Sequence, residues 1–587
     1  MERFQSGLFR RIVFIHMIQA LVLSVTGIVD SAIVGQFWGA EGLAGMKLAM
    51  PVFSILYMVG SILSTGLSVQ VTKLLAKGRR DEANQCFIWV CTSALGISLV
   101  LMLVAVLLPD TITGFFADHT GDAVLYEDVK AYLIPILAGS LAVIMQIVLS
   151  GVAALEGADR RLTVSIVAVL VSDVIGDLLA VYMDAGIRGI AVASVAAYLC
   201  ACLVLGGQLV AGKTIFRLGR PRMLKGMLTA VLITGFPMAV RFLSEFIYPI
   251  AVNRMMLRYG SINGLAALSI QDAMRYMPLA LGEGMMTATL LLTGMFAAEH
   301  DTEALRRERR DILRCCTVNG SALAIVLAAA APLLVKLFTK DYMLQEMGTY
   351  AFRWYLLGVP FMCFNLSVRA YLQGLDKQKE ASILTLINQL ALPVLITWIL
   401  GRRWGVPGIY AAFAVHEIVL TIGFVCMQFV MKRNGRSFSD SVVPGKLIAE
   451  IRGDITTMEQ VAEASDKVIS LCKKYGVDGR QAFNVGLCLE ELAANSLMQG
   501  FRDDRDKYVE YRFSIIGRWL ILRLRDNGHP FDLTERYKLL NPDDPVSGMG
   551  LRIVFAAAEN VNYSHAFDMN NVCIRVLKQS SREKREK

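Results

Sequence analysis

The stretch Leu155-Glu-Gly-Ala-Asp159-Arg160 returns 217 residues later as Leu372-Gln-Gly-Leu-Asp376-Lys377. Two further pairs of motifs recur at nearly the same offset: Gly186-Ile-Arg-Gly189-Ile190 with Gly405-Val-Pro-Gly408-Ile409, and Gly42-Leu43-Ala44 with Gly264-Leu265-Ala266. A nearly constant offset across three motifs indicates a duplicated unit. We therefore predict two related halves, over residues 1–220 and 221–436.

Each half contains apolar runs long enough to cross a bilayer. Runs of about 20 mainly apolar residues recur about twelve times before residue 436. Their approximate centres are residues 24, 61, 98, 142, 173, 199, 242, 280, 325, 360, 391 and 418. Because six spans per half is an even number, both halves have the same orientation, an arrangement found in transporters that rock two lobes about a central cavity.

Charge divides the 587 residues into two physically different parts. Residues 1–436 hold 37 of the 59 Lys and Arg and 28 of the 50 Asp and Glu, whereas residues 437–587 hold 22 of each. The net charge of +9 therefore lies in the apolar part, and much of it is in alternate loops. By the positive-inside rule these loops and both termini are cytoplasmic, which predicts a multi-pass protein of the inner (cell) membrane. The neutral tail gives no reason to expect nucleic acid as a partner.

Four acids are predicted to lie inside spans: Asp30, Asp173, Asp177 and Glu245. An ionised group in mid-span costs about 3 kcal/mol, so such groups normally face a cavity. Asp173 and Asp177 are one helical turn apart and share a face, where two like charges favour binding of a proton or a small cation. The alternative is that each acid satisfies a neighbouring Arg or backbone group.

Mutual pairing is the stronger expectation for a second set of polar residues, whose depth in the membrane is less certain. This set is Arg241, Asp272, Arg275, Glu283, Arg369, His416 and Glu417.

The residues around Asp30 carry a family resemblance. Ile28-Val29-Asp30-Ser31, Val34-Gly35-Gln36-Phe37 and Gly39-Ala40-Glu41-Gly42-Leu43-Ala44 resemble the first span and following loop of the MATE family of multidrug and toxic-compound extrusion proteins. The resemblance implies twelve helices in two lobes and export of small organic or xenobiotic compounds, driven by entry of H⁺ or Na⁺. It places the cation-coupling residues at Asp30, Asp173, Asp177, Ser194 and Glu245.

This sequence departs from the family pattern at two positions. Asp173 stands where the family usually has Asn, which adds a negative charge, and Leu178 stands where Pro often follows the second acid. The first change bears on the coupling ion and on the number of ions carried. The second bears on local helix geometry.

From about residue 445 the hydrophobic periods become those of a small α/β domain. Strands are expected over residues 446–455, 508–515, 520–525, 561–565 and 572–577, and helices over 458–475, 478–498 and 550–560. In the third of these strands Leu520, Leu522 and Leu524 share one face, while Arg523 and Arg525 take the other. About 140 residues are enough for an independent core.

Three motifs in this tail fit a nucleotide site. Glu491 and Asn495 are one helical turn apart, where the first is a candidate base and the second a candidate Mg²⁺ ligand. Asp526-Asn-Gly528 ends a strand, and its carboxylate is placed to accept from an adenine amine. Gly548-Met-Gly550 opens a helix, whose N-terminus favours phosphate.

The three motifs together resemble the histidine-kinase-like ATPases, and above all the serine kinases that act as anti-sigma factors. The resemblance places nucleotide binding at Asn495, Asp526, Gly528, Gly548 and Gly550, with ATP and Mg²⁺ as cofactors. Gln499 replaces a histidine often found in the family. No phosphoacceptor histidine box precedes the domain, which argues against a conventional sensor histidine kinase.

The sequence thus predicts a polytopic α-helical membrane protein with a cytosolic ATP-binding domain over residues 437–587. The leading hypothesis is a cation-coupled exporter of small organic compounds that is regulated by its tail. Two alternatives remain open. One is a membrane-embedded signalling serine kinase, or switch, that acts on a cytosolic regulatory protein. The other is a flippase of lipid-linked precursors.

Overall fold

A computed structural model describes residues 2–76, 79–117, 122–156, 158–211, 214, 216–217, 219–221, 226–259, 262–298, 302–434, 447–501, 508–540, 548–566 and 569–578. Its contacts divide the chain into two compact units. The first contains Met1–Leu292 and Glu308–Asn434, and the second contains Thr293–Arg307 and Gly435–Lys587. The second unit therefore includes a short segment that the sequence analysis assigned to the second half of the membrane part.

The described residues of the first half of the membrane part, called the N-lobe, form nine helices. They are α1 (Glu2–Phe37), α2 (Gly39–Ala49), α3 (Pro51–Ala76), α4 (Arg80–Leu107), α5 (Pro109–Ala117), α6 (Ala123–Ala138), α7 (Ser140–Leu155), α8 (Asp159–Tyr182) and α9 (Gly186–Val210).

Ten helices lie in the described part of the second half, called the C-lobe. They are α10 (Met227–Gly235), α11 (Pro237–Tyr259), α12 (Ile262–Met274), α13 (Tyr276–Ala298), α14 (Thr302–Arg314), α15 (Ser321–Val335), α16 (Tyr342–Gly374), α17 (Gln378–Leu386), α18 (Leu392–Trp404) and α19 (Val406–Arg433). Short π-helical turns, Cys315–Gly320 and Ile387–Ala391, join α14 to α15 and α17 to α18.

All twelve predicted span centres lie within helices. Within the described residues, nine helices are long and apolar enough to cross a membrane, and a tenth span results if α6 and α7, bent by 49°, are counted together. The two predicted spans outside that count are α1, whose described apolar stretch is Gly27–Phe37, and the α10–α11 pair. Charged residues such as Arg241 and Glu245 lower the apolarity of α11.

The duplication is visible in matching backbone geometry. Gly186 and Gly405 both have φ +63°, a conformation that favours glycine, and each stands at the start of a helix. Three residues further on, a Cβ at Gly189 would collide with Ala180, and a Cβ at Gly408 would collide with the carbonyl group of Leu400. These glycines let α9 pack closely on α8 and α19 on α18. The repeated motif thus encodes the same helical hairpin twice.

The tail folds as a five-stranded antiparallel sheet with helices on one face. Its strands are β1 (Leu447–Ile455), β2 (Val509–Ile516), β3 (Trp519–Asp526), β4 (Asn560–Ala566) and β5 (Met569–Leu577), in the order β1-β2-β3-β5-β4. Its helices are α20 (Met458–Lys474), α21 (Gly479–Gln499), α22 (Leu533–Lys538) and α23 (Met549–Ala557).

The predicted alternation in β3 is confirmed. Leu520, Leu522 and Leu524 join the core beneath the helices, and Arg523 and Arg525 point to the other face. That second face is also buried, and its charges are paired: an Arg523 guanidinium nitrogen lies 2.7 Å from the carboxylate of Glu510. Helix α22 was not predicted. It begins at Asp532, whose carboxylate accepts hydrogen bonds from the backbone N–H groups of Thr534 and Glu535.

Candidate functional site

Three acids meet inside the N-lobe. Asp173 and Asp177 lie one turn apart on α8, and Asp30 lies on α1, which packs against α8. One carboxylate oxygen from each residue can be chosen so that all three lie within 4.8 Å of one another. Asp30 is 7% exposed, Asp173 is 4% exposed and Asp177 is 0% exposed. We call this group the carboxylate cluster.

The cluster has no internal counter-charge. Among the described residues, no Lys or Arg forms an ion pair with Asp30, Asp173 or Asp177. A side-chain hydrogen bond joins Asp30 and Asp177, which requires a proton on one of the two carboxyl groups. One oxygen of Asp30 and one of Asp173 have no hydrogen-bond partner in the part of the chain that the structure describes. Buried carboxylates are normally paired or bound to a cation. The arrangement therefore favours binding of a positive charge from outside the protein.

Ser194, on α9, hydrogen-bonds with the Asp173 side chain. This serine is buried beside the cluster, where sequence analysis placed it. A hydroxyl at this point can donate to a carboxylate, or offer its oxygen to a cation.

Three tyrosines near the cluster were missed by sequence analysis. The hydroxyl oxygens of Tyr57, on α3, and Tyr198, on α9, lie 2.5 Å apart in a hydrogen bond. Both side chains, together with Tyr132 of α6, lie within electrostatic reach of Asp30 and Asp173. The sequence offered one signal, because Tyr198 is four residues after Ser194 and so shares its helix face.

Glu245 does not join the carboxylate cluster. It lies on α11 in the C-lobe, and its carboxylate is 3.0 Å from the guanidinium of Arg241, one turn earlier on the same helix. Its assignment to cation coupling stays a prediction.

The tail contains a cavity of about 660 Å³, including its part open to solvent. Asn495, Asp526, Phe531, Tyr563 and Asn570 are among its lining residues. The cavity is lined by residues of helix α21 and of strands β3, β4 and β5, and it brings together Asn495 and Asp526 from two of the three predicted motifs.

Asp526 accepts three hydrogen bonds in this cavity. Its Oδ1 accepts from the backbone N–H of Gly528 at 2.9 Å and from the Asn570 amide at 2.7 Å, and its Oδ2 accepts from the Ser496 hydroxyl at 2.8 Å. A carboxylate offers about four lone-pair positions, so Oδ2 can accept one more hydrogen bond. Strand pairing between β3 and β5 holds Asp526 opposite Asn570.

Asn570 and Tyr563 were not predicted as site residues. The Tyr563 hydroxyl donates to the Asn570 side-chain oxygen at 2.8 Å and accepts from the backbone N–H of Phe531 at 3.0 Å. Burial raises the pKa of Tyr563, so its hydroxyl remains a neutral donor. These contacts fix the Asn570 amide toward Asp526. Sequence periodicity shows that residues 570 and 563 lie on strands but cannot show that the strands pair.

The Gly548-Met-Gly550 motif lies next to helix α21, which contains Glu491. Gly548 has φ +66° and precedes α23, while Gly550 lies so close to Glu491 that a Cβ there would collide with its carboxylate. The structure thus brings Glu491 next to Gly550, and Asn495 into one cavity with Asp526. Ser547, part of the same predicted loop, lies outside the described residues.

Comparison with known proteins assigns the membrane part. Residues 16–181 and 237–399 match the MatE family model, which therefore covers more than half of the chain in two segments. The chain belongs to the MatE family. The two matched segments correspond to the duplicated halves of this MatE protein.

Solved structures share the MatE fold. An inward-facing multidrug resistance MATE family transporter of the MOP superfamily is 19% identical, with a TM-score of 0.65 over 70% of this chain and 95% of that chain. An outward-facing one is 20% identical, with a TM-score of 0.55 over 74% and 97%. A MOP superfamily transporter from Pyrococcus furiosus, described as having reverse polarity of its binding pocket, is 19% identical with a TM-score of 0.54 over 74% and 97%. At these identities the likeness shows the fold alone.

The tail matches a different family model. Residues 456–576 match the histidine kinase-like ATPase domain, which agrees with the antiparallel sheet and the predicted motif order. None of the curated proteins compared with the chain matches it. This MatE protein therefore combines a transporter fold with an ATPase-type domain.

Proposed function

We propose that this MatE protein is an antiporter that exports small organic compounds in exchange for H⁺ or Na⁺. The carboxylate cluster is the observation that supports this proposal: three buried acids, with oxygens within 4.8 Å and no basic partner among the described residues. Such a group is unstable when fully ionised and is stabilised by one positive charge.

The cation acts on the balance between the two lobe arrangements. An empty, ionised cluster favours contact with water, whereas a protonated or sodium-bound cluster tolerates closure of the surrounding helices. If the lobes can rearrange only when the cluster is neutralised, each rearrangement needs a bound cation. Cation entry is then coupled to substrate exit. Asp30 on α1 and the acids on α8 lie on separate helices, so cation binding also draws those helices together.

Gradient-driven uptake into liposomes tests this proposal. The purified protein is reconstituted, a proton or sodium gradient is imposed alone, and uptake of a fluorescent organic compound is followed. Uptake is expected with one of the gradients, and Asp177→Asn should abolish it. Asp110→Asn, which removes only a surface ion pair with Lys130, is the matched control and should transport normally. Equal uptake by Asp177→Asn and the unmodified protein would overturn the proposal.

We further propose that the tail binds ATP and regulates transport. The free acceptor position on Asp526 suits the amine of adenine, Phe531 and Tyr563 line the same cavity, and the start of α23 suits phosphate. Asn495 would hold Mg²⁺ through its amide oxygen, and Glu491 is placed to orient water or a hydroxyl group. Bound Mg²⁺ would neutralise phosphate charge.

Equilibrium binding of a fluorescent ATP analogue to the full chain tests the nucleotide proposal. Asp526→Asn should weaken binding by about 30-fold, because it replaces an acceptor with a donor beside the adenine amine. Met458→Gln, an exposed change at the start of α20, is the control. Regulation predicts that saturating ATP changes the transport rate of the unmodified protein and not that of Asp526→Asn. An unchanged rate in both would remove the regulatory role and leave the antiporter proposal untouched.

A further inference from the structure

Arg369 is a buried cation with no acidic partner. It lies on α16 in the C-lobe with 9% of its surface exposed. Its Nη2 lies 2.9 Å from the sulfur of Met286, on α13. Among the described residues no carboxylate lies within ion-pair distance of its guanidinium. A thioether is a weak acceptor and leaves the charge uncompensated.

The charged groups that act on Arg369 come from three other helices. They are Arg241 and Glu245 on α11, Glu283 on α13 and Glu417 on α19. Glu245 is paired with Arg241 at 3.0 Å. Glu417 accepts from the Asn365 amide at 2.6 Å and lies 3.4 Å from the His416 ring nitrogen. Glu245 and Glu417 thus have closer partners than Arg369, and Glu283, half-buried on α13, is a third acid whose charge acts on Arg369.

These groups face water and not lipid. The side chains of Arg241 and Glu245 are 49% and 37% exposed. At 100° per residue, Leu243 and Ile247, which are exposed and apolar, lie on the opposite side of α11. Lipid contact suits the apolar side, because a charged group in hydrocarbon is costly. The charged side of α11 therefore suits contact with water, and its charges act on Arg369.

We propose that Arg369 is the anion-binding residue of a substrate site in the C-lobe, and that the exported compounds carry a carboxylate or phosphate group. The guanidinium offers five N–H donors in a planar fork that matches either acid. Glu283 lowers the affinity for a simple anion, so the bound compound can still leave. This inference rests on the proposed export function, because it names the substrate class, but it concerns a separate site from the carboxylate cluster.

Equilibrium binding to the purified full chain, without any gradient, tests the site. Two matched pairs of probes separate the two sources of an acid: dansylglycine against dansylglycinamide, and a fluorescent lysophosphatidic acid against the corresponding monoacylglycerol. In at least one pair the acid should bind about tenfold or more tightly than its neutral partner. A difference in the first pair indicates a soluble organic acid, and one in the second indicates a lipid phosphate.

Three variants decide whether Arg369 causes the difference. Arg369→Gln should remove it, and Arg353→Gln, an exposed arginine on the same helix, should keep it. Glu283→Gln should tighten binding of the acid about threefold, because it removes repulsion. Arg369→Lys keeps the charge but loses the fork, so it should retain part of the difference and provides a folded comparison if Arg369→Gln does not fold.

Two results would overturn the inference: no preference for either acid in the unmodified protein, or an unchanged preference in Arg369→Gln. Because these measurements need no gradient, they fail independently of coupling. If Asp177→Asn keeps normal coupled uptake while Arg369→Gln loses acid binding, the coupling proposal fails and the anion site stands.

Discussion

The two lobes repeat one fold but treat buried charge in opposite ways. In the N-lobe, Asp30, Asp173 and Asp177 gather with no basic partner among the described residues. In the C-lobe, acids pair with bases, as Glu245 does with Arg241 and Glu417 with His416. Repetition of a helical unit therefore sets the positions of the helices but not which charged side chains are buried between them. The N-lobe thus holds acids without a basic partner, whereas in the C-lobe Arg369 is a cation without an ion pair among the described residues.

The largest expected effect is loss of cation binding when one acid of the N-lobe cluster is replaced by a neutral side chain. Asp177→Asn should weaken binding of the coupling ion about a hundredfold, because it removes the least exposed charge of the cluster. Scintillation binding of radioactive sodium, or proton release on adding substrate, measures this effect. Glu417→Gln in the C-lobe should leave cation binding unchanged. Equal losses in both variants would show that the lobes do not differ in this respect.

The next effect is on the free energy of unfolding. Removing an acid should lower it at an ion pair and should preserve or raise it at the carboxylate cluster. Lys47, buried on α2, is ion-paired with Asp272 on α12. Asp272→Asn leaves the lysine uncompensated and should cost about 3 kcal/mol of unfolding free energy. Asp177→Asn relieves repulsion and should preserve or increase stability. Thermal unfolding in detergent measures both, and a loss of stability in Asp177→Asn would argue that the cluster is held together by interactions that this account lacks.

A smaller effect is a change in the number of cations carried. Asp173→Asn keeps the shape of the side chain and leaves two acids in the cluster. The positive charge carried per transport cycle should fall by one at most, while uptake continues. The membrane potential at which flux stops measures this charge. Ser194→Ala, which removes only the hydrogen bond to Asp173, should leave that potential unchanged.

The smallest effect is expected for the exposed pair in the C-lobe. Arg241 and Glu245 are one turn apart and partly open to water, so their interaction should contribute about 0.5 kcal/mol. A double-mutant cycle with Arg241→Gln and Glu245→Gln measures this energy. A value several times larger would mean that water does not reach the pair. The charged side of α11 near Arg369 would then not be in contact with water, contrary to the inference.

Much of the fold could be predicted because its signals are local. Apolar runs, the duplicated motifs and the leucine alternation of β3 each depend on residues close in sequence. The stacking of Asp173 and Asp177 followed from helical spacing alone. Helix α22 was missed because it is six residues long and is set by the single cap of Asp532.

The remaining site residues depend on tertiary packing. Asp30 lies beside the other two acids only because α1 packs on α8. The family resemblance assigned the three acids to one role, cation coupling, without showing this contact. Tyr57 and Tyr198 are 141 residues apart in sequence, so no local pattern joins them. The C-lobe charges were expected to pair with one another. That prediction is confirmed for Asp272 with Arg275 and for His416 with Glu417. Arg241 pairs instead with Glu245, and Arg369 has no ion pair among the described residues, because the packing of α16 against its neighbours sets its position relative to the acids.

Gradient-driven uptake measured side by side for Asp177→Asn and Glu245→Gln separates the carboxylate cluster from the paired acid of the C-lobe. Both variants neutralise one acid of the membrane part, but only the first acid belongs to a cluster without a basic partner among the described residues. Asp177→Asn is expected to lose uptake under every imposed proton or sodium gradient, while Glu245→Gln should keep uptake within about threefold of the unmodified protein. Loss of coupling in Glu245→Gln with normal coupling in Asp177→Asn would contradict this expectation.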